Sequence, residues 1–571
     1  MSKKSQLFWI VCIVLFSLNV GFFAGSKTGM KRPQLKLLRT EQNKINEALD
    51  VISKNYVDTV DIKILAESAV GKIISELDPH SYYIPASEVE TANEDLEISF
   101  GGIGIQFNMV TDTIVVIEVL SGGPAEKAGL QTFDRILMVD DSVVAGKNIN
   151  QNKMIRTLRG PKGSKVMLGV QRGNADELIQ FELTRGDIPN YSIDVSYKLS
   201  DNIGYISVTK FARSTYNELL TAIAKLKQDG VTGFVIDLRQ NPGGFMDAAS
   251  YVANEFLPKG NMIVFTQGQS YPRMNTHANG KGTCQDAPIV VLIDESSGSA
   301  SEIFAGAIQD NDRGLIIGRR SYGKGLVQTK FDLSDKSELL LTIARYYTPS
   351  GRCIQKDYEL GKAEEYGMDY YNRWMHGEFF SADSIKMNDS LAFKTVGGRV
   401  VYGGGGIMPD IFVPQDTSGR TSYLAQLSNT NALYQFALDY SDKNQDILNT
   451  FNNYKTLYDY LKQQPLLYEL ADYAESKGVK KRPTLMNVSK NLIEKLLHSY
   501  IIRNYFGNDG FYPVFQQDDP ALLKAIEVID KNIWNPERYF QHTQLDTEEN
   551  LHSSTQVSRN SLFKHLLAAA C

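Results

Sequence analysis

Cysteine is scarce in this chain. Its 571 residues include four, Cys12, Cys284, Cys353 and Cys571, with no CxxC spacing and no paired histidine. The spacing argues against a structural zinc site, and no metal or other cofactor is expected. Cys284 and Cys353 could pair if the chain is exported, but spacing alone leaves a bridge and two separate buried thiols both open. An excess of positive charge is missing too. Sixty basic residues stand against 66 acidic ones, a formal charge of −6, which gives no electrostatic footprint for nucleic acid. Histidine is thin: there are seven, and none lies between Ala278 and Cys353. Internal repeats and low-complexity tracts are also lacking. With 42% hydrophobic and 22% charged residues the chain has the composition of folded protein. Its length exceeds one ordinary core, so several domains are expected.

One long uncharged run is present. Leu7–Gly25 follows Lys3 and Lys4 and is long enough to cross a bilayer as a helix. Phe23-Ala24-Gly25 supplies only part of a cleavage pattern, so a retained signal anchor is favoured over a removed signal peptide. The basic residues before the run favour an N-in orientation, against which Lys27, Lys31 and Arg32 beyond it act. The expectation is a single-pass anchor in the cell membrane with the catalytic part extracytoplasmic, periplasmic in a Gram-negative cell.

Residues 35–77 read as helical, with Ile45, Leu49, Ile52 and Tyr56 at helical spacing, up to the breaker cluster Asp78-Pro79-His80-Ser81. From Ile98 the period becomes strand-like with glycine turns, a small β-rich unit that ends near Ile188. Strands and helices then alternate. Ile203–Val208, Gly233–Leu238, Ile289–Ile293 and Leu315–Gly318 read as strands, and Thr215–Gln228, Met246–Phe256 and Ser299–Gln309 as helices. That order is typical of an α/β core with covered sheet faces. Asp357–Val396 is an aromatic, turn-rich insertion, and helical periodicity returns from Ser422.

Two segments carry candidate chemistry. In Asp294-Glu295-Ser296-Ser297-Gly298-Ser299-Ala300-Ser301-Glu302 a hydroxyl stands at a helix N-terminus, where backbone N–H groups and the helix dipole stabilise an oxyanion. Ordinary capping explains serine and glycine there equally well. In Gly318-Arg319-Arg320-Ser321-Tyr322-Gly323-Lys324-Gly325 the phosphate-binding pattern GxxxxGK[ST] nearly appears. It fails at Gly325, which has no hydroxyl, and at the strand-like sequence that follows, so an ATPase is rejected. What remains is a lysine between two glycines. It can serve as a base where burial lowers its pKa.

These two motifs, Gly298-Ser299-Ala300-Ser301-Glu302-Ile303 and Gly323-Lys324-Gly325-Leu326-Val327-Gln328, resemble the carboxyl-terminal processing protease family, also called tail-specific proteases. Asp237-Leu238-Arg239-Gln240-Asn241-Pro242-Gly243-Gly244, Leu77-Asp78-Pro79-His80-Ser81, Tyr347-Thr348-Pro349-Ser350-Gly351-Arg352 and Gly406-Ile407-Met408-Pro409-Asp410-Ile411 resemble further signatures of it in the same order. The resemblance covers about residues 40–413. It implies Ser299 as nucleophile, Lys324 as general base and Gln328 as the residue that orients the lysine. The oxyanion hole would use the N–H of Ala300 and that of Gly243 or Gly244. The β-rich unit resembles a PDZ domain, with Gly102-Ile103-Gly104-Ile105 as the loop that captures a terminal carboxylate. Arg159 would couple that unit to the protease, unless it is simply a solvated turn residue. One departure stands out: Phe133 occupies a position where many family members have glycine.

The expected fold class is α/β: a crotonase-like protease core (189–413, insertion about 357–396) with an inserted PDZ-like β-rich domain (98–188). An anchor (1–30), an N-terminal helical segment (31–97) and a helical C-terminal extension (414–571) complete the expected organisation. The expected function is an extracytoplasmic serine endopeptidase that recognises protein C-termini and cleaves near them. The alternative is an inactive PDZ peptide-binding scaffold. The partners implied are substrate C-termini and the membrane, with a homodimer and an adaptor protein as further candidates, and no nucleic acid.

Overall fold

The computed structural model describes residues 33–94, 96–110, 113–147, 151–173 and 177–544. The expected anchor, residues 1–30, lies outside them. Among the described residues no helix is long and apolar enough to cross a membrane.

The N-terminal stretch up to Glu76 is a unit of its own. It holds two helices, Pro33–Asn55 and Ile62–Ser75, where the periodicity suggested one helical region. Asp61 is the reason for the second start: its side chain accepts the Lys63 N–H at the new N-terminus.

In the second unit, the α/β core is built on a six-stranded sheet. Ile193–Lys198 pairs antiparallel with Ile203–Val208, and Gly233–Asp237, Ile289–Ile293, Leu315–Gly318 and Ile411–Phe412 continue in parallel. Thr215–Gln228, Met246–Phe256 and Ala300–Asp310 cover one face, on which Ile236, Ile289 and Val291 point. On the other face Val235, Val290 and Leu292 meet Leu522, Ala525 and Val528 of the helix Pro520–Asp530. Both faces are covered, so these strands are apolar throughout instead of alternating.

A second sheet places the other half of the site. The long strand Glu338–Tyr347 pairs with Leu326–Asp332, Tyr82–Ile84 and Met262–Gln267. The strand Leu326–Asp332 starts two residues after Lys324 and carries Gln328. The strand Tyr82–Ile84 fixes the turn at Asp78–Ser81.

The β-rich unit contains strands Ile105–Val110, Thr113–Val119, Arg135–Val139, Lys165–Gln171 and Ile179–Thr184, with the helix Gln151–Leu158 on its apolar side. The strands Ser99–Gly102 and Gly186–Pro189 pair at its entrance and exit. The insertion holds helices Ala363–Gly367 and Asp369–Met375, and its last strand, Ala392–Lys394, pairs with Val400–Tyr402 just beyond it. From Ser422 to Phe515 the chain is helical, around a core that includes Leu427, Leu433, Leu457 and Ile501, before the helix Pro520–Asp530 returns to the sheet. Cys284 and Cys353 are free thiols, so of the two readings left open for them the structure has no bridge.

Candidate active site

Ser299 does not belong to the helix that the periodicity starts with it. It precedes Ala300–Asp310 with φ 52° and ψ −112°, a backbone region costly for a residue with a Cβ. The turn from the strand Ile289–Ile293 is held by Asp294, which accepts the Ser296 N–H at 3.0 Å, and by Ser297, whose hydroxyl donates to the Leu238 carbonyl at 2.8 Å. Gly298 N–H and the Ser301 hydroxyl both donate to the Asn241 carbonyl, each at 3.0 Å. The serine turn is thereby stitched to the segment 238–244.

Glu302 fixes the serine relative to the lysine. Its carboxylate is fully buried. Oε2 accepts the Ser299 N–H at 2.8 Å and the Lys324 N–H at 2.9 Å. Oε1 accepts the Ser321 hydroxyl at 2.5 Å and the Gly323 N–H at 2.7 Å. Burial pushes its pKa up to about 7 against the pull of these hydrogen bonds. On the opposite side the Tyr346 hydroxyl sits between the Ser299 carbonyl, at 2.9 Å, and that of Lys324. Residues 25 positions apart (324 − 299) thus share two bridging side chains. The sequence motif contained Glu302, but one-dimensional spacing gives a buried carboxylate at the third helical position no role beyond that of a cap.

Lys324 Nζ donates to Gln328 Oε1 at 3.0 Å. Burial, foremost, lowers the Lys324 pKa, with Asp78 and Glu302 acting against it. Gln328 Nε2 donates to the backbone carbonyl of His80, which fixes the amide with its oxygen toward the lysine. Asp78 shapes this turn by accepting the N–H of His80 at 2.9 Å and that of Ser81 at 3.0 Å.

A histidine therefore does stand beside the lysine, although none is near it in sequence. His80 Nε2 lies 2.9 Å from the Tyr366 hydroxyl, which comes from the insertion. Gln355 Oε1 accepts the Gly325 N–H, so its Nε2 faces Tyr366, donating to the hydroxyl at 3.3 Å. Burial and the Lys324 charge push the His80 pKa down to about 4.

The two glycines differ in what they offer. Gly243 and Gly244 are the two alternatives for the oxyanion donor, and the Gly243 N–H donates to Asn241 Oδ1 at 2.9 Å. The Asn241 amide is in turn fixed by donating to the Val208 carbonyl at 2.8 Å. Gly243 also has to be small. A Cβ on it would lie 2.7 Å from the Ser299 Cβ and 3.0 Å from the Ala300 N, and its φ is +112°. Gly244, φ +141°, would place a Cβ 2.2 Å from the Phe211 carbonyl oxygen. Close backbone approach makes glycine necessary at both positions.

In the β-rich unit, Gly102, Ile103, Gly104 and Ile105 line a cavity of about 240 Å³ together with Phe107 and Ile155. Arg159 is no free turn residue. Its Nη1 pairs with Glu94 Oε2 at 2.8 Å, and its guanidinium lies 3.9 Å from the centre of the Phe100 ring. Glu94 ends the helix Val89–Glu94 that leads into this unit.

The model of peptidase family S41 matches residues 202–361, a PDZ domain model matches 101–183, and a family of unknown function matches 423–507. The chain is similar to a carboxy-terminal-processing protease of Bartonella bacilliformis, with 36% identity over 317 residues, 55% of this chain and 72% of that protein. It is also similar to a probable CtpA-like serine protease of Staphylococcus haemolyticus, 35% identical over 55% of this chain, and spans 63% of that relative's length. A solved photosystem II D1 C-terminal processing protease is 25% identical, with 66% of this chain and 93% of that one covered and a TM-score of 0.34. With the serine turn, the glycine segment and the lysine strand in one site, and with 36% identity over 72% of the Bartonella bacilliformis protease, the chain belongs to the carboxy-terminal processing proteases of the S41 serine peptidase family.

Proposed function

We propose that this chain is an endopeptidase that captures the C-termini of other proteins in its PDZ groove and cleaves them with a Ser299–Lys324 dyad. In this reading the core is crotonase-like, which the helix-covered and largely parallel sheet supports. Neutral Lys324 takes the Ser299 hydroxyl proton as Oγ attacks the scissile carbonyl. The tetrahedral oxyanion is met by the N–H groups of Ala300 and Gly244. The resulting ammonium then protonates the leaving amine, and water releases the acyl group by the same route. The observation that carries this reading is the shared Glu302 oxygen, which ties the backbone of the nucleophile to that of the base. The apolar run Leu7–Gly25 supports placing the catalytic part outside the cytoplasm.

Capture rests on Gly102–Ile105, whose backbone N–H groups would hold a terminal carboxylate while the peptide adds a strand. An unfolded substrate ending in small apolar residues is expected to be cleaved with a kcat/KM about tenfold above that of its C-terminal amide, because charge-assisted hydrogen bonds to the carboxylate are lost in the amide. Equal rates for acid and amide would refute carboxylate capture.

Gln328 holds the base without exchanging protons itself. Gln328→Ala should lower kcat about tenfold and leave KM nearly unchanged, the mark of a group that acts only in the chemical step. A change confined to KM would show that Gln328 binds substrate instead.

A further inference from the structure

The helical stretch 422–530 has two occupied sides. The first faces the PDZ sheet. In the strand Thr113–Val119 side chains alternate, so Ile114 and Val116 enter the PDZ core while Val115 and Ile117 point the other way. Val115 packs there with Phe133 and with Leu438 of the helix Ala432–Lys443. The Phe133 ring lies 6.1 Å from that of Tyr505. Arg135, the strand neighbour of Val115, pairs with Asp442 at 3.0 Å. This contact explains why phenylalanine stands where glycine is usual. Phe133 keeps the left-handed backbone, φ 72°, that glycine would adopt freely, and its ring is buried against the helices.

The second side faces the protease core. Tyr512 donates to Asp194 at 2.9 Å, Tyr197 donates to Gln516 at 3.0 Å, and Gln516 donates to Tyr205 at 2.9 Å. Arg239 reaches Asp519 at 2.7 Å and also grips Asp237, in the segment that leads to Gly243 and Gly244. Between the two sides Gly507, φ 55° and ψ −152°, interrupts the helix Lys490–Phe515. The break falls after Tyr505, which faces the PDZ unit, and before Tyr512, which faces the core.

We propose that residues 422–530 act as an internal bracket that holds the PDZ unit at a set position on the protease core. The bracket grips the sheet face opposite the one that bears the Gly102–Ile105 groove, so the groove stays open while its bearing toward the serine is fixed. A role in presenting captured C-termini rests on the proposed function above; the grip itself does not.

Hydrogen–deuterium exchange on the full chain tests the grip without reference to proteolysis. Phe133→Gly relieves the left-handed strain and removes the ring that packs with Leu438 and Tyr505, so any loosening of the PDZ strand beneath it reports the lost contact. It should speed exchange in 113–119 by about tenfold or more, since local opening sets the rate there, and leave the core strand Ile289–Ile293 unchanged. Arg135→Glu and Asp442→Arg should each speed exchange in the same strand, and the double variant should restore it. The same variants should narrow the preference for acid over amide substrates. Wild-type discrimination between acid and amide reports on capture separately. Unchanged exchange in Phe133→Gly and in both charge reversals would overturn the bracket.

Discussion

Lys324→Ala is expected to lower kcat/KM for an unfolded protein substrate by about 10⁴-fold, and Ser299→Ala by a similar factor, with the fold intact. The double variant should be no worse than either single one, because nucleophile and base act as a unit. The rate of the wild type should rise with pH along a limb that ends below the ordinary lysine value of 10.5, since burial disfavours the ammonium form and only the neutral amine accepts the serine proton. His80, at about 4, is already neutral across that range and contributes no limb near 6.5. Stopped assays of Lys324→Ala across pH decide the matter. Activity within tenfold of wild type, on the same limb, would rule out a lysine base.

The second large effect is assigned to Glu302. Glutamine has one carbonyl oxygen where the carboxylate has two, so in Glu302→Gln two of the four donors now facing the side chain lose their acceptor whichever way the amide turns. A buried donor left without a partner costs about 1–3 kcal/mol. The lost pair includes either Ser299 N–H and Lys324 N–H or Ser321 Oγ–H and Gly323 N–H, and each choice shifts one half of the dyad. Glu302→Gln should therefore lower kcat about 10²-fold, more than Gln328→Ala, and lower Tm as well. The pH trends of stability and activity oppose each other at this residue. Its folded pKa, about 7, lies above the ordinary value of 4.5. The stability it contributes is complete below about 4.5 and declines as pH rises through 7. Activity should rise over the same interval, because only the ionised carboxylate accepts from all four donors. The glutamine variant should lose both trends. A wild-type kcat in Glu302→Gln would dismiss the clamp.

Much of the site can be read along the chain. The turn with Ser299, the lysine between Gly323 and Gly325, and the glycine pair Gly243-Gly244 each sit at the end of a strand, where hydrophobic periodicity and glycine punctuation leave a local mark. The helix Met246–Phe256 was legible residue by residue for the same reason. Its apolar positions face one core, and that pattern repeats every turn. The unusual Phe133 was visible too, as a departure from the glycine common in the family the sequence resembles.

Only the tertiary structure decided the rest. His80 and Gln328 are 248 positions apart, and His80 and Tyr366 are 286 apart. Nothing periodic links such residues; they meet because the strand Tyr82–Ile84 pairs with Glu338–Tyr347 and carries the Asp78–Ser81 turn to the lysine. The same holds for the Gly243 N–H, which goes to Asn241 because that amide is already fixed by Val208 on a neighbouring strand. Phe133 drew attention in the sequence as a departure, and its partners Leu438 and Tyr505 lie 305 and 372 residues further on. Sequence alone determined the strands and helices of the parallel-sheet core, such as Ile203–Val208 and Met246–Phe256, since their apolar patterns follow from near neighbours, while Tyr82–Ile84 and Glu338–Tyr347 became legible only through their pairing. Which hydrogen-bond donor meets which acceptor depends on sheet pairing across hundreds of residues, and that pairing is set when the apolar faces are buried together.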